Sequence, residues 1–424
     1  MFTQIEISIL DFAFALLEVV DLMSPELHKH HKQVAYISCK IAQEIRLPDD
    51  DLKNIFLAAI LHDIGDFMFL NQSKADTVAA VDINGDMHAE IGYELLRKLK
   101  IFTKASTIIR HHHANHTRFN FVMPLGSFII QQAGKLVSLT GSGKDILEQA
   151  PAITEQLAAL PDSLHPEVTG TLRDLCQKEY FWIEMCNPSL EMILPDRIEH
   201  IREIVDLETL ESFARVTSHL IDFKSRFTAS HSSGVAAVAA ELAAICNYSK
   251  KECQLVKIAG LLHDIGKIAI PNDILEKNGR LTNEEYSTIK KHAYFTYSIL
   301  NKINGLEQIV EWAAFHHEKL DGAGYPFHIR ETGLPELSRI IAIADILTAL
   351  MENRPYRAGM RKEDALGILD GMAKNNQIDK QLLTIVNQNI ARIDQMRIKA
   401  QREETKEYEA FNARMHGLVD TKTG

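Results

Sequence analysis

Apolar positions along this chain recur mainly at helical spacing. Val235-Ala236-x-Val238-Ala239-x-x-Leu242-Ala243 sets small apolar residues on a helix able to pack closely in a core. Ser249-x-x-Glu252 and Thr282-x-x-Glu285 are capping-box patterns, in which a hydroxyl and a carboxylate satisfy the first free amides of a helix. Each opens an apolar run of helical period. The stretch from Ile5 to Met23 is apolar but broken by Glu6, Asp11, Glu18 and Asp21. It lacks the basic start of a signal peptide and the length of a membrane span, and it reads as a packed helix. No alternating Val/Ile/Thr segments bounded by turn pairs stand out, which predicts little sheet. From Gly141 to about Glu211 the pattern is helical, but Pro151, Pro161, Pro166, Pro188 and Pro195 cut it into short pieces, as in a connector. The charged run Arg392 to Glu409 predicts a solvated C-terminal helix with a fraying end. The expected fold class is all-α.

Composition narrows the picture. A chain of 424 residues has room for two or three domains with real cores. With 46% hydrophobic residues, 21 Gly and 12 Pro, it reads as globular and helical, not disordered. A net charge of −11 argues against binding DNA through a broad basic face. A small anionic ligand would then need local cations or metals. Cys39, Cys176, Cys186, Cys246 and Cys253 are scattered and form no Cys-x-x-Cys pair, which disfavours a disulfide framework or thiolate zinc site and suits a reducing cytoplasm.

The chemistry concentrates in the second half. His231, the pair His263-Asp264, His292, the pair His316-His317, and Asp345 are seven ligand-type side chains. Imidazole nitrogen with carboxylate oxygen suits Fe, Mn, Ni or Zn. Seven donors are too many for one ion and about right for two. A metal pair sharing a bridging carboxylate is a known arrangement for breaking phosphate esters. A single His on an apolar face is more often a hydrogen-bonded core residue, but seven in this order outweigh that reading.

The surrounding motifs add a family. His263-Asp264-Ile265-Gly266-Lys267, His316-His317-Glu318, Asp321-Gly322, Gly324-Tyr325-Pro326 and Arg354-Pro355-Tyr356 resemble the HD-GYP phosphodiesterases, over about Phe213 to Asn376. The resemblance implies one metal on His231, His263, Asp264 and Asp345, and a second on Asp264 as bridge with His292, His316 and His317. Two divalent ions are expected, iron or manganese by family habit, with nickel and magnesium as alternatives. Asp264 and Lys267 are the expected catalytic residues. Lys267 follows the His-Asp pair by one turn and would neutralise a phosphate oxygen or protonate the leaving 3′-oxygen. Arg354 and Arg357 are the expected clamps for a second phosphate, and a helix-end role is their alternative. Tyr325 lies in a loop that flanks the pocket in the family and is implicated in partner contacts; a purely structural role fits it equally. A third metal in the family requires a Glu four positions before the first histidine. Here that position is Phe227, so a two-metal site is expected.

The implied activity is hydrolysis of a cyclic dinucleotide, cyclic di-GMP or 3′,3′-cyclic GMP-AMP, to the linear 5′-phosphorylated dinucleotide. The alternatives are a non-catalytic cyclic-dinucleotide receptor and another HD-type phosphohydrolase acting on nucleotides or (p)ppGpp. A diguanylate cyclase (GGDEF) partner and a homodimer are further expectations, with no membrane association.

A 201-residue offset carries His30 onto His231 and Leu61-His62-Asp63-Ile64-Gly65 onto Leu262-His263-Asp264-Ile265-Gly266. His88 then parallels His292, and His111-His112 parallels His316-His317. Such a recurrence reads as domain duplication. Gly134 stands where the second copy has Asp345, Asp66 replaces Lys267, and there is no Gly-Tyr-Pro loop. The first copy is not expected to cleave cyclic dinucleotides. A structural or dimerising role leads for it, ahead of metal binding without turnover or an accessory 5′-nucleotidase activity, with His113 or His116 as replacement ligands. The expected layout is a degenerate HD domain over 1–140, a helical connector over 141–211, a catalytic HD-GYP domain over 212–391, and a charged helix and tail over 392–424.

Overall fold

The computed structural model describes residues 4–23, 29–68, 86–113, 123–141, 145–158, 165–186, 202–224, 230–353 and 358–423. Strand β1 (Gln4–Ser8) leads into helices α1 (Ile9–Met23), α2 (His30–Glu44), α3 (Asp49–Leu61), α4 (Asp86–Leu96), α5 (Thr103–Arg110) and α6 (Leu125–Leu139), then α7 (Ile146–Ala158), α8 (Pro166–Cys176) and α9 (Glu179–Cys186). Strand β2 (Arg202–Asp206) opens the same order again: α10 (Leu207–Lys224), α11 (His231–Ile245), α12 (Lys250–Leu262), the short α13 (Asn272–Leu275), α14 (Asn283–Leu300), α15 (Glu307–Ala314) and α16 (Glu336–Met351). Helices α17 (Lys362–Lys374) and α18 (Lys380–Thr423) close the chain. The fold is all-α, and among the described residues its sheet is the single pair β1–β2. Residues 8–203 form one compact unit, and residues 1–7 with 204–424 form the other.

Three expectations change. The apolar N-terminus starts as a strand, not a helix, because Gln4-Ile5-Glu6-Ile7-Ser8 alternates polar and apolar before helical spacing takes over at Ile9. The stretch 141–211, read as a helical connector, contributes α7, α8 and α9 to the first unit and then runs through β2 into α10. There the Tyr36 hydroxyl donates to Glu184 at 2.6 Å and the Trp182 indole N–H donates to the Cys176 carbonyl at 2.9 Å. The charged C-terminal helix is not simply solvated. It packs along α11, with Arg397 and Glu404 only 6% and 5% exposed.

Local signals explain the helix starts. Both capping boxes form: Ser249 accepts from Glu252 N at 3.2 Å, and Thr282 accepts from Glu285 N at 3.2 Å, each Glu reaching back to the cap amide. The small-residue helix α11 is small because α12 crosses it tightly. A Cβ at Gly260 would lie 2.8 Å from Ala236 Cα. No described helix is long and apolar enough to cross a membrane.

The glycine after each His-Asp pair has a steric cause. It sits in a short 3₁₀ turn, Ile265–Ala269 after α12 and Ile64–Met68 after α3. A Cβ at Gly266 would fall 1.9 Å from the His292 carbonyl oxygen and 2.6 Å from Thr296 N, and one at Gly65 would fall 2.0 Å from the His88 carbonyl oxygen. The Thr296 hydroxyl stitches the same contact, donating to His263 O at 2.9 Å and accepting from Gly266 N at 3.1 Å. Gly266→Ala is therefore expected to destabilise the protein by about 3 kcal/mol or more, because the obstacle is backbone that cannot repack. Chemical denaturation of the variant reads this directly.

Candidate metal centre

In the second unit, α12 ends at His263 and hands Asp264 to the 3₁₀ turn, while α11 starts at His231, α14 carries His292, and α15 runs out into His316-His317. Asp345 lies on α16. The chain thus brings residues more than a hundred positions apart to one buried point. Asp264 is 2% exposed and His231, His263, His292 and His316 are 3%, 0%, 1% and 2% exposed.

The two oxygens of Asp264 face different partners. Oδ2 lies 3.2 Å from His263 Nε2 and 4.0 Å from His231 Nε2. Oδ1 lies 3.5 Å from His292 Nε2 and 3.9 Å from His316 Nε2. Asp345 Oδ1 closes the first group, 3.1 Å from His231 Nε2 and 3.9 Å from His263 Nε2. In the second group, His292 and His316 Nε2 are 3.3 Å apart, and His317 offers a third ring within 4.8 Å of both. Donors around an ion with bonds of about 2.1 Å stand roughly 3.0–3.4 Å from one another. These groups are close to that spacing, as a carboxylate bridging two ions requires.

The rings are held for that task. His263 Nδ1 donates to Gly260 O at 2.7 Å, His292 Nδ1 to Ile289 O at 2.6 Å and His316 Nδ1 to Ala313 O at 2.6 Å. Each bond fixes the tautomer that leaves Nε2 as the donor atom. At the ends of α12 and α15 the acceptors are last-turn carbonyls that the helix leaves without an amide partner. His263 Nε2 is buried with no hydrogen-bond partner, which a bound cation would satisfy. The donor set thus fits two divalent ions.

Two further residues carry part of the site. Glu352 faces the other side of His231, its Oε2 3.0 Å from Nδ1, and Gln401 on α18 donates to that same oxygen at 3.3 Å. No spacing points to Glu352, which belongs to no motif and is one of 57 acidic residues. Glu318, next to His317 in sequence, accepts from Phe327 N at 2.7 Å and Ile329 N at 3.0 Å and so clamps the Gly-Tyr-Pro loop. That clamp seats the Tyr325 ring 4.8 Å from the His317 ring. Lys267 Nζ reaches Asp264 Oδ2 at 2.5 Å and is partly exposed. Arg354, Arg357 and Phe227 lie outside the described residues, as does His116 in the first unit.

The first unit repeats the scheme with one change of register. His88 Nε2 lies 3.3 Å from His112 Nε2, and His88, His112 and His113 offer their nitrogens together. The pair matching His316-His317 is therefore His112-His113, not His111-His112. His112 Nδ1 donates to Ile109 O at 2.6 Å, as His316 does to Ala313, whereas His111 stands outside the cluster.

Comparison with known proteins agrees with this duplication. Family models described as HD domain match residues 27–160 and 215–382. The chain is a tandem HD-domain protein. Over 406 residues, 91% of its length, it is 26% identical to the 3′3′-cGAMP-specific phosphodiesterase 1 of Vibrio cholerae, 92% of which is covered. Over 183 residues, 43% of the chain, it is 34% identical to a cyclic di-GMP phosphodiesterase response regulator of Xanthomonas campestris, covering 47% of that relative. A crystal structure of a cyclic GMP-AMP-specific phosphodiesterase of Vibrio cholerae shares the fold, with a TM-score of 0.60 at 21% identity over 92% of this chain and 98% of the other.

Electrostatics in the second HD site follow from burial. Burial pushes His292 down to about 4 and His317 down to about 3, and it holds His316 well below the usual imidazole value with help from His317. These rings are neutral near pH 7, the state a metal ligand needs. Burial opposes the Asp264 carboxylate, but His263 and Lys267 prevail and hold it well below the usual range. Burial also opposes a charged His231, yet Glu352 and Asp345 outweigh it and raise His231 to about 10. A proton and a divalent cation thus compete for the same nitrogen.

Two outcomes follow for this tandem HD protein. Glu352→Gln should weaken divalent-metal binding by about 10- to 100-fold without loss of helicity, as titration with Mn(II) would register. His292 and His317 have folded values below the ordinary 6.5, so between about 6.5 and 4 the unfolded chain binds more protons. Stability of the chelated protein should therefore fall as pH drops through that window. His231 acts oppositely, its contribution being lost as pH rises from 6.5 through about 10. Melting curves across that range check both signs.

Proposed function

We propose that this tandem HD protein is a metal-dependent phosphodiesterase that hydrolyses a 3′–5′ phosphodiester of a cyclic dinucleotide to the linear 5′-phosphorylated product. The observation that carries the proposal is the buried Asp264 carboxylate, with Oδ2 toward His231 and His263 and Oδ1 toward His292 and His316. A relative spanning nearly the whole chain is named for 3′3′-cGAMP and a shorter one for cyclic di-GMP, which supports the substrate class.

Two divalent ions, iron or manganese, would be held by His231, His263, Asp264 and Asp345 on one side and by Asp264, His292, His316 and His317 on the other. When bound they supply Lewis acidity and lower the pKa of the attacking water. The chain's own part is to keep Asp264 ionised and His292, His316 and His317 neutral, and to hold these groups rigidly. Lys267, at the solvent edge of Asp264, offers its ammonium to a phosphoryl oxygen or a proton to the leaving 3′-oxygen. Tyr325, its ring 4.8 Å from that of His317, is the neighbouring substrate contact in this reading. Arg354 and Arg357 are assigned to the second phosphate by their motif alone. A diguanylate cyclase and a second copy of the chain are the partners this reading takes.

The test is to load the protein with iron or manganese without air and incubate it with cyclic di-GMP and with 3′,3′-cyclic GMP-AMP, identifying products by mass spectrometry. Linear 5′-phosphorylated dinucleotide is expected from at least one substrate, with none from Asp264→Ala and a rate about 100-fold lower from Lys267→Ala. Tight binding without product would make the chain a receptor and overturn the proposal.

A further inference from the structure

We infer that the N-terminal unit holds a divalent transition metal of its own, with His31 standing in for the carboxylate that this copy has lost. In the second unit that carboxylate is Asp345, 3.1 Å from His231 Nε2. The matching position on α6 is Gly134, and a Cβ added there would meet nothing within 4 Å. That corner of the site is open space. Immediately after His30, however, the first unit has His31 where the second has Ser232, whose hydroxyl is too short to serve as a ligand.

The His31 ring is fully buried, and its Nε2 lies 3.5 Å from Asp63 Oδ2. The same oxygen is 3.0 Å from His62 Nε2 and 3.6 Å from His30 Nε2, and those two nitrogens are 3.2 Å apart. Three imidazoles therefore face one carboxylate oxygen at separations near those of donors on a common ion, roughly 3.0–3.4 Å. His62 Nδ1 donates to Ala59 O at 2.8 Å, which leaves its Nε2 lone pair toward the cluster.

His31 supplies the second, independent sign of a ligand. Neither of its ring nitrogens has a partner in good hydrogen-bond geometry, although the side chain is 0% exposed; what they face are the carboxylates of Asp63 at 3.5 Å and Asp21 at 3.9 Å. Buried polar groups are nearly always satisfied, and an exception calls for an explanation. On its far side Nδ1 stands 3.9 Å from Asp21 Oδ1 on α1. A carboxylate behind a histidine is the arrangement that orients a ligating ring and favours the tautomer with Nε2 free. The pair His31 and Gly134 in one copy thus takes the place of Ser232 and Asp345 in the other.

The exchange alters the chemistry. Three imidazoles with one carboxylate carry one negative charge less than the two imidazoles and two carboxylates opposite, which favours Zn, Ni, Co or Fe over Mn or Mg. Asp66, in place of Lys267, puts negative charge where the other copy presents an ammonium, so the site is unsuited to a phosphodiester. The phosphodiesterase proposal does not use this unit, so either can fail without the other.

The experiment uses the 424-residue chain carrying Asp264→Ala to disable the second centre, titrated with Co(II), with metal per chain counted by elemental analysis and the visible spectrum recorded. Asp264→Ala protein is expected to retain cobalt in the first unit. Adding His31→Ser, the residue natural to the other copy, should weaken that binding by about 100-fold or more and change the visible bands. Adding Gly134→Asp to the pair should recover it, since a side chain fits there. Melting in EDTA reports whether His31→Ser still folds; should it not, His31→Gln, which fills the volume without an imidazole nitrogen, carries the same expectation. Asp264→Ala protein that binds no cobalt, or a folded His31 variant that binds it as tightly as its parent, would overturn the inference.

Discussion

The carboxylate of Asp264 is buried, ionised and shared, and the arrangement of the second unit turns on keeping it so. Burying such a charge costs heavily unless opposite charge and donors meet it from several sides. Here His231 and His263 approach one oxygen, His292 and His316 the other, and Lys267 the edge, so that four helices must converge on one residue. The same burial that holds His292 and His316 neutral is what makes the carboxylate depend on them. Packing and electrostatics are therefore one constraint.

Backbone contact allows the convergence. Gly260 lets α12 lie against Ala236 on α11, and Gly266 lets the 3₁₀ turn touch the carbonyl of His292. Any side chain at either place would push a histidine off its mark. The helices then lend their own loose ends: the carbonyls of Gly260 and Ala313, in last turns, orient His263 and His316. Ala59 and Ile109 do the same for His62 and His112 in the first unit. The repeat preserves this machinery even where the ligand set has diverged, because each ring is positioned by main chain, which outlasts changes of side chain.

Behind the centre, the long helix α18 reinforces what the motifs begin. Gln401 donates to Glu352, which holds His231, and Glu404 accepts from the Ser233 hydroxyl at 2.6 Å and pairs with His219. A charged helix thus acts as an outer wall for the histidine–carboxylate cluster. Its buried Glu404 is held below the usual carboxylate range by His219 and Ser233, against the opposing effect of burial.

The sequence by itself determined the all-α class, the duplication, the two capping boxes and the histidines and carboxylates that the structure brings together around Asp264. These are local properties: helical period, a hydroxyl three residues before a carboxylate, and donor types in a particular order. Register and support came only with tertiary structure. In the first unit the order of residues matches His111-His112 to His316-His317, and only the distances to His88 shift the match to His112-His113. Glu352 and Gln401 became part of the site because α16 and α18 fold beside His231, which no spacing announces. Most of Arg392 to Glu409 faces water as its charge pattern implies, but Arg397 and Glu404 are buried, because burial depends on what packs across from a residue. A motif states which atoms are available, and the packing of distant helices decides which of them meet.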